Sequence, residues 1–323
     1  MGRRRPQYPD HAMRILVTGG AGFIGSALVR VLLRDDDAHV TVLDALTYAG
    51  DRANLPDDPR LAFVHGDITD GRTVDRLVAG ADAVVNAAAE THVDRSIAHA
   101  APFVTTNVLG TQVLLDAALR HGTARFLQVS TDEVYGSIER GSWDESAPVA
   151  PRSPYSASKA AGDLLALAYH RTHGLPVVVT RGANTFGPRQ HPEKLIPRFV
   201  TRLLAGRTVP VYGDGGQVRE WVHADDHARA IALVLAGGRP GEVYHVGAGV
   251  ELTNLELTHR LLELCGAGPD RIEHVADRKG HDRRYSLDTT RIRTELGFRP
   301  AVDFAAGLAA TVEHYRRKGP VTQ

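Results

Sequence analysis

The chain has 323 residues, of which 43% are hydrophobic and 24% charged. This length and composition suit a folded protein of one large or two modest domains and exclude a disordered tail or a short peptide. Because 38 Lys and Arg balance 38 Asp and Glu, no overall basic field is present to hold nucleic acid or an anionic membrane. We expect a soluble protein without nucleic-acid or membrane partners.

The cysteine content points to the compartment. Cys265 is the single cysteine of the chain, so neither an intramolecular disulfide nor a Cys-x-x-Cys zinc motif can form. A cytoplasmic location is therefore expected, and no metal site is predicted. Residues 1–12 begin with arginines but lack the apolar stretch of a signal peptide, and we expect a disordered extension.

From Met13 onward, short apolar runs alternate with helical patterns. The runs predict strands at 14–18, 40–43, 62–64, 83–86, 125–130 and 176–180. Helices are predicted after the glycines at 19–25, near 73–78, at about 103–121 and from 155 to about 173. Strands separated by helices indicate a parallel sheet covered on both faces. Residues 13–180 are thus predicted to form a doubly wound, Rossmann-type α/β domain.

The pattern changes after Arg181. Glycine and proline become frequent and the predicted strands grow shorter, which indicates a smaller substrate-binding domain over residues 181–318. Within it, a helix at 225–235 and a strand at 243–246 are predicted. We expect this segment, 225–246, to return to the first domain.

The glycines at 19, 22 and 25 follow the first strand and open a helix. In this context Gly19 permits a tight turn, Gly22 lets the backbone approach a pyrophosphate, and Gly25 lets the helix pack on the strand. The free N–H groups of the helix then face the phosphates. A glycine-rich connection without a ligand is the alternative.

Acidic residues end the next two strands. A carboxylate at Asp44 can accept hydrogen bonds from both ribose hydroxyls and repels a 2′-phosphate, which favours NAD over NADP. Asp67 and Ile68 are expected beside the adenine. The alternative is that both aspartates only cap local turns.

Two further motifs suggest proton chemistry. Tyr155 and Lys159 stand four residues apart, on one face of a helix, and a neighbouring cation favours the phenolate form of tyrosine. Thr131, Asp132 and Glu133 end a strand where α/β sheets collect ligands, and the two carboxyls can divide acid and base work. The alternatives are a surface pair and a solvated polar turn.

These motifs, with the segments 43–50, 87–96, 192–197, 218–223 and 277–285, resemble the extended short-chain dehydrogenase/reductase family. The resemblance extends from about Met13 to Tyr315, and within the family it is greatest to the dTDP-glucose 4,6-dehydratases. Thr131-Asp132-Glu133 is the discriminating motif, because related epimerases and decarboxylases generally lack the aspartate.

The resemblance implies conversion of dTDP-glucose to its 4-keto-6-deoxy form by C4 oxidation, loss of water across C5 and C6, and C6 reduction, with NAD as the cofactor. By this resemblance Tyr155 takes the 4-hydroxyl proton and Lys159 lowers the pKa of that tyrosine and holds the nicotinamide ribose. Glu133 removes the C5 proton, Asp132 protonates the departing 6-hydroxyl, and Thr131 bonds a substrate oxygen.

Binding residues follow from the same resemblance. It implies cofactor contacts by Gly19, Gly22, Phe23, Ile24, Gly25, Asp44, Asp67, Ile68, Ala88, Tyr155 and Lys159. It implies substrate contacts by Glu90, Thr91, Asn184, Lys194, Tyr212, Arg219, Arg278, His281 and Tyr285. For Arg278 a solvated loop remains the alternative.

Two segments depart from the pattern of these dehydratases. The usual Ser-Asn-Asn-Tyr-Gly-Pro is here Ala183-Asn-Thr-Phe-Gly-Pro188, and Val250 stands before Glu251 where Asn is usual. Both departures are expected near the diphosphate and base of the nucleotide. The sequence Asn-Thr-Phe-Gly-Pro-Arg also resembles nucleotide-sugar decarboxylases. A nucleotide-sugar 4-epimerase or a nucleotide-uronic acid decarboxylase therefore remains an alternative, with a non-catalytic NAD-sensing protein a remote one.

A homodimer is also expected. The helix after Phe103 carries Val104, Val108, Leu115 and Ala118, and the helix after Tyr155 carries Ala157, Ala160, Ala161, Leu164 and Leu165. This is more apolar surface than one sheet face needs. Members of the family pair the two helices between subunits, and core packing against the sheet is the alternative.

Overall fold

The computed structural model describes residues 12–35 and 38–319. The expectation of a disordered extension concerns residues 1–12, of which 1–11 lie outside the described residues. In chain order the strands are β1 (Arg14–Thr18), β2 (His39–Asp44), β3 (Leu61–His65), β4 (Ala83–Asn86), β5 (Arg125–Thr131), β6 (Val177–Gly182), β7 (Asn184–Phe186), β8 (Val209–Tyr212), β9 (Val218–His223), β10 (Val243–Val246), β11 (Val250–Thr253) and β12 (Ile272–Val275).

Helices connect most of these strands. They are α1 (Phe23–Asp35), α2 (Gly71–Ala79), α3 (Val93–Ala98), α4 (Ala101–Val104), α5 (Thr111–Arg120), α6 (Pro154–His173), α7 (Leu195–Leu204), α8 (Ala224–Gly237), α9 (Asn254–Cys265), α10 (Thr290–Glu295) and α11 (Phe304–Lys318). Among the described residues, none of the helices is both long and apolar enough to cross a lipid bilayer.

The central feature is a seven-stranded sheet in the order β10-β6-β5-β4-β1-β2-β3. Every strand pair in it is parallel. Strands β4 and β6 are buried along their whole length, as expected where helices cover both faces. The strand order reverses between β1 and β4, which is where α/β sheets of this type bind ligands. The predicted doubly wound, Rossmann-type class is confirmed.

Two apolar cores lie on opposite faces of this sheet. One joins α1 and α8 to the sheet through residues such as Leu28, Leu32 and Ile231. The other joins α2, α5 and α6 through residues such as Val74 and Leu115. The sheet is therefore held as a rigid platform, with the carboxyl ends of its strands at one edge.

The helix predicted at about 103–121 is interrupted. Between α4 and α5 the chain forms a π-helical segment, Thr105–Gly110, of the kind often found at functional sites. The Asn107 side chain donates to the Glu90 carbonyl at 3.0 Å and accepts from the Glu90 amide at 2.9 Å. The segment thus fixes the loop after β4.

The C-terminal part builds a smaller unit. Strands β11, β9 and β7 form one sheet, and β12 pairs with β8. Phe186, Trp221 and Leu257 belong to its separate apolar core. By contrast, β10 joins β6 in the large sheet, and Ile231 and Val234 of α8 lie in the core beside α1.

A substitution in the glycine turn tests its packing. A Cβ added at Gly25 lies 2.2 Å from the Gly19 carbonyl oxygen and 2.8 Å from Gly20 Cα. Since these are backbone atoms, we expect Gly25→Ala to lower the free energy of unfolding by about 1–3 kcal/mol, the usual cost of overpacking. Chemical denaturation measures this change.

Gly71→Ala is the matched control. Nothing lies within 4 Å of a Cβ added at Gly71, which opens α2. Alanine there should leave stability unchanged or raise it by up to about 1 kcal/mol. Equal destabilisation by both substitutions would contradict this account of the turn.

Candidate active site

Two adjoining cavities lie at the carboxyl edge of the large sheet. The larger is about 310 Å³ and extends from the glycine turn to the end of β5. The smaller, of about 190 Å³, lies between the sheet and the C-terminal unit. Thr91, Glu133, Asn184 and Lys194 line both, so the two spaces meet beside Glu133.

The glycine turn forms a close-fitting cradle at one end of the larger cavity. Gly19 has a φ of 67°, a left-handed conformation that favours glycine, and a Cβ there would lie 2.6 Å from Ala88 Cα. Three residues without side chains, Gly19, Gly22 and Gly25, line the cavity here. A turn of this kind at the start of α1 fits the pyrophosphate of a dinucleotide.

Asp44 lies against this turn. One carboxylate oxygen accepts the Ala21 amide at 2.9 Å and the other the Leu46 amide at 2.8 Å, so Asp44 organises both loops while lining the cavity. Asp67 also caps a turn, by accepting the Thr69 amide at 2.8 Å, and lines the cavity. Both aspartates therefore cap local turns and also line the cavity.

The other end of the cavity carries the residues predicted for proton chemistry. Strand β5 ends at Thr131, whose side chain donates to Asp132 at 3.1 Å and accepts the Glu133 amide at 3.3 Å. Asp132 is only 2% exposed, and its second oxygen has no hydrogen-bond partner among the described residues. Asp132 is therefore not the solvated turn residue of the alternative interpretation.

Helix α6 positions Tyr155 and Lys159. Ser153 caps the helix through a reciprocal bond pattern with Ser156, and Pro154 occupies the first turn. Tyr155 lines the larger cavity. Lys159 does not line it; its Nζ donates to the Val129 carbonyl of β5 at 2.7 Å. Both side chains are buried, which excludes the surface-pair alternative.

The two carboxyls have different electrostatic surroundings. Burial raises the pKa of Asp132 well above its ordinary value, and the charges of Glu133 and Glu220 raise it further. Burial also raises the pKa of Glu133, but Arg278, Arg219 and Lys194 lower it. The surroundings thus favour the protonated form, which an acid needs, more strongly at Asp132 than at Glu133.

The structure does not show the expected lowering of the Tyr155 pKa by Lys159. Burial, followed by the charges of Glu133 and Asp132, raises that pKa well above its ordinary value. Lys159 is not among the groups that act on the Tyr155 pKa, and burial lowers the pKa of Lys159 itself to about 8. The sequence spacing alone did not predict how strongly both groups are desolvated.

Cations surround the smaller cavity. The Arg219 guanidinium lies 4.2 Å from the centre of the Tyr285 ring and donates to the Asp282 carbonyl at 3.0 Å. Arg278 lies 3.7 Å from Asp94, and its Nε has no partner among the described residues. An arginine pair of this kind suits a diphosphate.

The structure brings the predicted residues together, apart from Lys159. The larger cavity is lined by Gly19, Gly22, Phe23, Ile24, Gly25, Asp44, Asp67, Ile68, Ala88, Glu90, Thr91, Thr131, Asp132, Glu133, Tyr155, Asn184 and Lys194. The smaller is lined by Tyr212, Arg219, Arg278, His281 and Tyr285, besides the four shared residues. Ala183 lines the larger cavity. Val250 lines neither, since it pairs with Trp221 and packs on the C-terminal core.

Sequence analysis missed several residues around the cavity. His227 lines its wall from α8, and Asn107 supports Glu90 from the π-helical segment. Asp163 and Arg181 form a buried ion pair of 3.1 Å behind Lys159. No motif signalled them; the four-residue interval from Lys159 to Asp163 was the only available hint.

Comparison with known proteins identifies the family. The family model described as GDP-mannose 4,6 dehydratase matches residues 16–311. A dTDP-glucose 4,6-dehydratase from Streptomyces niveus is 64% identical, over 94% of this chain and 93% of the relative. A crystal structure of the Streptomyces venezuelae dTDP-glucose 4,6-dehydratase, with NAD and dTDP bound, has 62% identity and a TM-score of 0.93, covering 94% of this chain and 97% of that chain.

The fold is shared more widely than the reaction. A Thermus thermophilus UDP-glucose 4-epimerase, solved with NAD, has 35% identity and a TM-score of 0.88, covering 94% of this chain and 99% of that chain. The chain belongs to the GDP-mannose 4,6 dehydratase family, within the extended short-chain dehydrogenases/reductases. The resemblance found in the sequence is confirmed, and so are the hydro-lyase class and NAD as the cofactor.

The cations around Glu133 give a testable pH effect. Arg278 is the strongest influence that lowers the pKa of Glu133. If ionised Glu133 is the base, removing this positive charge with Arg278→Met destabilises the carboxylate and raises its pKa. The acidic limb of kcat should then move to higher pH, which steady-state rates across the pH range would measure.

Arg283→Met serves as the control for this experiment. Arg283 lies in the same charged stretch, but it pairs with Asp214 at 2.9 Å on the surface. Its substitution should leave the acidic limb in place. If the acidic limb of kcat stays fixed in Arg278→Met, or moves to lower pH, Arg278 does not support the charge of Glu133. The alternative that Arg278 belongs to a solvated loop would then be favoured.

Proposed function

We propose that the chain converts dTDP-glucose to dTDP-4-keto-6-deoxyglucose in the joined cavities. The observation that carries this proposal is the triplet Thr131-Asp132-Glu133, with Asp132 buried, in the same cavity as Tyr155, in a chain whose relatives at above 60% identity are dTDP-glucose 4,6-dehydratases. Bound NAD supplies oxidation and later reduction of the sugar. The residues of this chain bind the cofactor and the sugar substrate, and they transfer protons.

Each residue has a role that follows from its surroundings. Tyr155, in its phenolate form, accepts the proton of the sugar 4-hydroxyl. Glu133, whose charge is supported by Arg278, Arg219 and Lys194, removes the C5 proton and later returns it. Asp132, kept protonated by burial, donates its proton to the departing 6-hydroxyl. Thr131 orients the sugar, and Lys159 holds the nicotinamide ribose.

Binding roles divide between the two cavities. We assign the dinucleotide to the larger cavity, with Asp44 at the adenosine ribose and Asp67 and Ile68 at the adenine. We assign the nucleotide diphosphate to the smaller one, with Arg219 and Arg278 as its cations. Since the arginines and Tyr285 come from the C-terminal part, we infer an NAD-binding domain at 13–180 and a mainly substrate-binding domain at 181–318.

The 4-epimerase alternative needs a specific comparison, because an epimerase shares the fold. Epimerisation at C4 requires no acid for a leaving hydroxyl. A carboxyl that is 2% exposed and lacks a partner for one oxygen is costly to keep. Its presence beside Tyr155 therefore favours the dehydratase.

Substitution of the two carboxyls tests the assignment. Asp132→Asn keeps size and polarity but cannot donate a carboxylic proton, so water loss should slow by roughly 10²–10⁴-fold, the usual range for general acid catalysis. Exchange of the C5 hydrogen with D₂O should persist, because Glu133 remains. Mass spectrometry of the sugar measures both changes.

Glu133→Gln gives the complementary result. This variant should stop C5 exchange as well as dehydration, while the protein still takes up NAD. If Asp132→Asn dehydrates at the wild-type rate, Asp132 is only a turn residue. The case for a dehydratase would then lose its main chemical support.

We also propose a cytoplasmic homodimer. Exposed apolar residues gather on adjacent helical segments, with Val104 at 53% and Leu164 at 52% exposed, beside Ile97 and Leu109. Leu115 and Ala118, expected in the same surface, instead pack in the core under the sheet. A second copy burying the exposed group would remove this patch from water.

A charge placed in the patch should separate the subunits. We expect Leu164→Glu to sediment as a monomer at micromolar concentration, because an unpaired carboxylate would be buried in the interface. Leu233→Glu, at a residue 37% exposed on α8, is the control and should keep the wild-type state. A wild-type protein that is monomeric under these conditions would contradict the proposal.

A further inference from the structure

A buried histidine that the proposed mechanism does not use faces the larger cavity. His227 lies on α8, is 1% exposed and lines the cavity wall. Its ring lies directly against β6, because a Cβ added at Gly182 would be 2.4 Å from His227 Cε1. Gly182 pairs with Thr131 across β5 and β6. The imidazole is therefore near the strand that carries the proton-transfer residues.

Its hydrogen bonds indicate which ring nitrogen carries the proton. His227 Nδ1 is 2.7 Å from the Thr185 hydroxyl, which also donates to the Ala183 carbonyl at 3.2 Å. A hydroxyl has one hydrogen, so both bonds form together only when Nδ1 is the donor. His227 Nε2 is then an acceptor, and it has no partner among the described residues.

The ring also remains neutral. Burial lowers the pKa of His227 to about 4, so Nε2 keeps its lone pair at neutral pH. A buried acceptor without a donor is costly. An acceptor of this kind in a cavity wall indicates that a bound molecule supplies an N–H or O–H group.

The strand order indicates which part of the cofactor lies beside His227. Asp44 ends β2 and Asp67 follows β3, on one side of the glycine turn. His227 lies beside β6, on the other side and next to β5. With the adenosine at the aspartates, the nicotinamide lies at the β5–β6 end. Its carboxamide NH₂ is a hydrogen-bond donor.

We propose that His227, held by Thr185, accepts a hydrogen bond from the carboxamide NH₂ of bound NAD and so fixes which face of the nicotinamide ring meets the sugar. The inference rests on the proposed NAD-dependent function. It explains why threonine at 185 is useful here: its hydroxyl holds the imidazole in the accepting tautomer.

A cofactor competition tests the hydrogen bond. In 3-acetylpyridine adenine dinucleotide a methyl group replaces the carboxamide NH₂. The purified holoenzyme is equilibrated with an equimolar excess of this analogue and NAD, and unbound cofactor is removed. The two retained dinucleotides are then quantified by mass spectrometry. The ratio of retained NAD to analogue should fall about tenfold in His227→Phe relative to wild type, as expected for one buried hydrogen bond.

Thr185→Val provides a second variant, which removes the hydroxyl that orients the ring. This variant should also lower the ratio of retained NAD to analogue. If His227→Phe retains no dinucleotide, the ratio in Thr185→Val decides whether the hydrogen bond exists. His245→Phe is the control: His245 is equally buried, but both ring nitrogens are bonded within the protein, to Tyr135 and the Asp288 carbonyl. Its ratio should equal that of wild type.

The outcomes separate this inference from the function on which it rests. An unchanged ratio in both His227→Phe and Thr185→Val, with dinucleotide retained, would overturn the role of His227 alone. A wild-type protein that retains neither dinucleotide would instead contradict the NAD-dependent function. A ratio that falls equally in His245→Phe would show a general effect of destabilisation and overturn the specific contact.

Discussion

The hydrogen bond from Lys159 Nζ to the Val129 carbonyl, 2.7 Å long, fixes helix α6 against strand β5. Tyr155 lies one turn before Lys159 on that helix, while Asp132 follows the end of the strand. One contact therefore sets the relative position of groups from two separate elements. Because the ammonium is buried, an unmade bond here would leave a costly charge.

A second buried contact extends this arrangement to β6. Asp163, one turn after Lys159, pairs with Arg181 at 3.1 Å, and Arg181 also donates to the Tyr135 hydroxyl at 2.6 Å. Burial raises the pKa of Asp163, whereas the charges of Arg181 and Lys159 lower it. The site thus has a polar support on the side away from the cavity, where an apolar core would leave Lys159 without a counter-charge.

The sequence predicted the sheet well because each of its strands is a short apolar run bounded by glycine or polar residues. It also located Asp132 and Glu133, since both directly follow such a run. It could not predict their electrostatic surroundings, because the charges that act on Asp132 include Glu220 and Arg219 of the C-terminal part. The π-helical segment around Asn107 was missed for a similar reason: its side-chain bonds to Glu90 are made across the fold.

Dehydratases and 4-epimerases share this fold, so the choice between the two reactions depends on a few side chains. In the proposed mechanism the glycine turn, Tyr155 and Lys159 would serve any sugar oxidation at C4, so they do not distinguish the reactions. Water loss additionally needs an acid that stays protonated beside a base that does not. Asp132 and Glu133 are adjacent in sequence and burial raises the pKa of both, but three cations oppose this increase at Glu133. In the proposed mechanism this difference in environment, more than the pair of carboxyls itself, separates the acid from the base.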